Sequence, residues 1–71
     1  MEQVELRNKL GKLLEHWMEH NEAHAEEFKA WAEKVKVAGD DAVAESIMQA
    51  AQQMGRANAF LLAAAQELKE G

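Results

Sequence analysis

From Leu10 to Ala38 the chain holds one pattern. Leu10, Leu14, Trp17, Asn21, His24, Phe28, Trp31, Val35 and Ala38 follow one another at alternating steps of four and three residues. Such steps return a side chain to one face of an α-helix and mark a seam against another helix. A break would reset the phase, so the pattern predicts one continuous helix over about residues 3–38. No proline interrupts it, and the prevailing Ala, Glu, Leu, Lys, Gln and Met are all good helix formers.

The one clear interruption is VAGDD, residues 37–41. A glycine tolerates the left-handed conformation that ends many helices, and an aspartate accepts from the free N–H groups that begin the next. The turn therefore falls at residues 39–40, and a second helix follows over about 41–69. There the same steps run through Val43, Ile47, Ala50, Met54, Ala57, Leu61, Ala64 and Leu68, with alanine at every second position until the end, which lets the helices approach closely. The fold class expected is all-α: an antiparallel two-helix hairpin, a single domain over residues 1–71. With the turn at Gly39, facing residues sum to roughly 79. Asn21 then faces Asn58, His24 faces Met54 and Gly55, and Trp17 faces Leu61 and Leu62. Trp17, Phe28 and Trp31 are expected as core anchors on either side of a polar layer.

A chain of 71 residues buries only roughly 60% of the surface it exposes when unfolded, and such domains commonly rely on disulfides, a metal or self-association. No cysteine is present, which excludes the first and excludes thiolate metal sites. Leu6, Leu13, Met18, Met48, Phe60 and Leu62 are left off the seam. Two helices cannot bury them all, so a homodimer forming a four-helix bundle is the expected assembly. The net charge of −5, with eight basic residues scattered among thirteen acidic ones, argues against a nucleic-acid partner. The apolar run Ala59–Ala65 is too short to cross a bilayer, and the polar start MEQVELRNKL lacks a leader's apolar core. The expectation is a cytoplasmic protein that does not engage membranes.

HWMEHNEAH, residues 16–24, carries the candidate chemistry. His20 and His24, four apart, share a helix face at the spacing that lets two imidazoles reach one ion. His16 stands one turn before and Glu27 one turn beyond, and Asn21 and Asn58 are expected to support them from the polar layer. Imidazole with carboxylate suits nickel, cobalt or zinc without selecting among them. The competing reading has no metal: a His/Asn layer that sets helix pairing, as a buried Asn does in coiled coils, in a structural or protein-interaction module. No histidine has Glu three residues before it, as a di-iron bundle requires, and no C-x-x-C-H attaches a haem. Ser46, the one hydroxyl nucleophile, has no histidine expected near it, so a hydrolase triad is not supported. A hairpin also offers little enclosed pocket for His20 or His24 to act as a general base, so an enzyme is not expected.

Residues 13–34, LLEHWMEHNEAHAEEFKAWAEK, resemble a family of small helical domains of anaerobic bacteria and archaea. These carry a His-Trp-x-x-His-Asn-x-x-His block followed by Phe-x-x-Trp-Ala. The matching positions are His16, Trp17, His20, Asn21, His24, Phe28, Trp31 and Ala32. Some such domains occur beside or fused to CooT-type nickel-binding domains, so the resemblance implies a role in metal handling and carries no activity with it.

Overall fold

The computed structural model describes residues 2–70 and forms two helices, α1 (Glu2–Val37) and α2 (Asp41–Glu70). The domain bounds expected at residues 1 and 71 lie outside the described residues. All of α1, 36 residues, is one α-helix that passes through His20 and Asn21 without a break. Acids stand in its first turn (Glu2, Glu5) and bases in its last (Lys34, Lys36), each favourable to the helix dipole.

The turn closes by backbone hydrogen bonds that require its glycine. Asp40 N donates to Val35 O at 3.1 Å and Gly39 N to Lys36 O at 2.9 Å. This pair of bonds is the Schellman arrangement, which needs a left-handed residue after the helix end, and Gly39 has φ +97°. Asp40 then begins α2: its carbonyl accepts from Ala44 N at 3.1 Å.

The two helices pack against each other along the whole hairpin, a rod of 57 × 14 × 12 Å. Its register is fixed at two distant places. Asn21 Nδ2 donates to Asn58 Oδ1 at 3.0 Å, and a methyl group on Gly11 would meet Leu68 Cδ2 at 3.7 Å. Both pairs satisfy the expected sum of about 79. At the open end Arg7 Nη2 donates to Leu68 O at 2.6 Å, which satisfies a carbonyl in the last turn of α2.

The seam itself differs from the expected one by a single residue in every other layer. In α1 the inward file is Leu14, Met18, Asn21, Ala25, Phe28, Ala32 and Val35, all buried or half-buried. In α2 it is Ala44, Ile47, Ala51, Met54, Asn58, Leu61, Ala65 and Leu68. More than half of each expected file stands: Leu10, Leu14, Asn21, His24, Phe28 and Val35 in α1, and Ile47, Met54, Leu61, Ala64 and Leu68 in α2. Elsewhere the seam moves one residue on, about 100° around the helix. Met18 replaces Trp17 and Ala32 replaces Trp31, while Ala25 joins His24, which stays half-buried. Trp17 and Trp31 are therefore not core anchors of the hairpin: they are 41% and 55% exposed. Phe28 keeps its inward place. The cause is steric and polar together. Ala32, Ala44 and Ala51 are the buried positions beside Leu14, and small residues let two backbones approach where an indole would hold them apart. The same rotation turns Asn58 inward to meet Asn21.

Candidate functional site

The expected polar layer divides into two parts that do not touch the same groups. Inside the seam, Asn21 donates to Asn58, and Asn58 Nδ2 donates onward to Met18 O at 2.9 Å. Both asparagines are half-buried, and each bond satisfies a polar group that would otherwise cost about 1–3 kcal/mol to bury. His24 takes no part in these bonds. Gly55, expected to face His24, is exposed, and a side chain there would meet nothing within 4 Å.

The histidines lie on the flank of α1 next to the seam. Their four-residue spacing stacks them one above another, and Phe28 continues the column. The ring centroids of His16 and His20 are 6.2 Å apart with planes 24° from parallel. Those of His20 and His24 are 4.3 Å apart with planes nearly perpendicular, and those of His24 and Phe28 are 5.8 Å apart. In the middle of the column His20 Nε2 and His24 Nε2 approach to 2.9 Å. With neutral rings one N–H donates to the other ring's lone pair.

Glu27 stands on the other edge of the second ring: its Oε1 is 3.7 Å from His24 Nδ1. A carboxylate there faces the nitrogen that does not face His20. At that distance it makes no hydrogen bond to the ring. His16 remains a turn away from the pair. Among the described residues no three His, Asp or Glu side chains gather as one metal-holding group. The structure thus brings His20 and His24 together, sets Glu27 behind His24, and leaves His16 outside. The spacing placed the two imidazoles on one face, but the edge that Glu27 takes depends on rotamers that no spacing specifies. Sequence reasoning also missed Met18 O as the acceptor for Asn58, for which a backbone carbonyl carries no residue signal.

Further along this flank Lys34 Nζ lies 4.6 Å from the ring centroid of Trp31, within cation–π reach. The opposite flank is different in kind. Near the turn it is a shallow groove lined by Lys29, Lys36, Asp41, Glu45 and Met48.

These features define a class: a small all-α hairpin domain with a hydrogen-bonded asparagine layer in its seam and a histidine pair on one flank. The chain belongs to the family described as Domain of unknown function (DUF8180), whose model matches residues 10–68. Comparison with characterised proteins gives no match, and comparison with solved structures gives none. No helix among the described residues is long and apolar enough to cross a membrane.

Proposed function

We propose that this is a small non-enzymatic metal-binding or metal-handling protein of the cytoplasm that acts as a homodimer, a four-helix bundle. His20 and His24 are its ligands. The observation that carries the reading is the 2.9 Å approach of the two Nε2 atoms. At metal–nitrogen distances of about 2.05 Å, two imidazoles bound at a right angle stand about 2.9 Å apart, and at a tetrahedral angle about 3.4 Å. The pair therefore suits the right-angled sites of nickel or cobalt as it stands and opens by about 0.5 Å for zinc. Glu27, 3.7 Å from Nδ1 of His24, is placed to close on that nitrogen and orient a metal-bound histidine. The resemblance to domains that accompany CooT-type nickel-binding domains agrees with nickel. The reading is non-enzymatic because His20 stands exposed on an open helix face, where no wall encloses a substrate.

The test is nickel titration followed by native mass spectrometry of the wild type and of His24→Leu. Wild-type protein should retain a fixed whole number of ions, and His24→Leu should retain none while its far-ultraviolet circular dichroism stays helical. Equal nickel affinity in the two proteins would end this assignment.

A second reading rests on the asparagine layer, whose bonds are independent of the histidines. In it the protein is a structural or protein-interaction module, and Asn21 and Asn58 set the pairing of helices. The double variant Asn21→Leu/Asn58→Leu should then keep or gain thermal stability while its assemblies multiply. A single clean species on sedimentation would count against that role.

A further inference from the structure

α1 carries a second file at steps of four and three residues. It runs from Leu6 through Leu10, Leu13 and Trp17 to His20 and His24, and on through Glu27 to Trp31. It lies beside the seam, and α2 covers it only in part: Leu10 and His24 are half-buried, but Leu6 is 65% exposed and Trp31 more than half. A file of this period is what a helix presents to another helix. In an antiparallel pair the residues flanking the seam on one side of α1 meet the equivalent flank of α2. Phe60, 78% exposed, stands mid-hairpin on α2, at the height of Glu19 and His20 by the same register.

We infer that a second copy of this chain packs on that face in the same direction, both turns at one end. The inference rests on the metal-binding reading for its site, and its docking rests on two observations that do not depend on that reading and one that does. The first is area. The chain exposes 5810 Å², whereas a compact protein of its mass exposes about 4,400 Å². The excess of about 1,400 Å² is more than the roughly 800 Å² that each partner gives to a stable interface. The second is where the apolar surface lies. Leu6, Leu13 and Trp17 occupy the open-end half of the file, while Glu27 and Lys34 enter it toward the turn. A copy running the same way sets leucine against leucine; one running the opposite way sets leucines against Glu27 and Lys34. The third is the incomplete site. One chain brings only two ligands together, and among its described residues no third joins them. A two-fold axis along the bundle keeps every residue at its own height, so the two His20–His24 pairs fall in one layer and supply four imidazoles.

The experiment uses the metal-free full chain, labelled at Glu5→Cys, a unique thiol because the sequence has no cysteine. Light scattering should give twice the 7.9 kDa chain mass. Pulsed dipolar spectroscopy should give a label separation near the width of a bundle, about 25 Å; an opposed copy would give about 45 Å from the rise per residue. Leu13→Glu should weaken dimerisation about 100-fold or more, the effect of losing a central anchor. Leu62→Glu, on the other flank, should leave it unchanged. A monomer at micromolar concentration, a 45 Å separation, or a dimer broken by Leu62→Glu and not by Leu13→Glu overturns the inference. Nickel is then added alone. A Leu13→Glu monomer that binds nickel as tightly as the wild type also overturns it, and leaves the metal reading standing. A same-direction dimer that takes up no nickel upholds the docking and removes the metal reading.

Discussion

Two imidazoles and a carboxylate divide the chemistry of the site by the edge each presents. His20 and His24 turn Nε2 toward each other, and Glu27 lies 3.7 Å from the remaining nitrogen of His24. Under the proposed metal-binding reading a carboxylate in that place orients a ligand, and loss of such a partner typically lowers metal affinity about 10–100-fold. Glu27→Gln should therefore weaken nickel binding by about tenfold with stoichiometry and absorption spectrum unchanged, as read by competitive titration. A changed spectrum would show that Glu27 is itself a ligand. That these three residues share a helix face was legible from their spacing. Which atoms meet was not, because side-chain torsions choose the edge.

At the scale of the element, the turn and the seam show different degrees of legibility. Gly39 announced itself, since no other residue type enters the left-handed region so readily. Gly39→Ala keeps every contact but forces a Cβ into φ +97°, at a cost of about 1–2 kcal/mol. In a domain of this size that lowers the melting temperature by about 4–8 °C per kcal/mol, measurable by thermal denaturation; an unchanged midpoint would mean that the turn relaxes without its glycine. The seam was legible only in period. Two files, one through Trp17, His24 and Trp31 and one through Met18, Ala25 and Ala32, share the same steps and the members Leu14, Asn21, Phe28 and Val35. Hydrophobic size favours the first. Close approach of backbones and the Asn21–Asn58 bond favour the second, and both depend on the partner helix.

The whole molecule is a thin rod with a small core. Leu14, Ala32, Ala44 and Ala51 are its buried apolar residues, and its radius of gyration of 16.4 Å compares with about 11 Å for a compact chain of this length. A chain that depends on self-association gains stability with concentration. Its melting temperature should rise by about 5 °C for each tenfold increase in protein concentration, from the mass-action term divided by the unfolding entropy of a dimer. A midpoint independent of concentration between micromolar and millimolar would show that the hairpin is stable alone.

The sequence by itself determined the elements: two helices, a glycine turn, an antiparallel register in which Asn21 meets Asn58, and three histidines on one face. All of these follow from local preference and from a period written along the chain. The tertiary structure alone decided which of two interleaved files turns inward. That choice weighs the close packing of alanines against the burial of indoles, and it is made between two helices and not within one. By turning the alanines in, the hairpin leaves Trp17, His20 and Trp31 exposed and His24 half-buried beside them, where a further binding partner, metal or protein, has access to them.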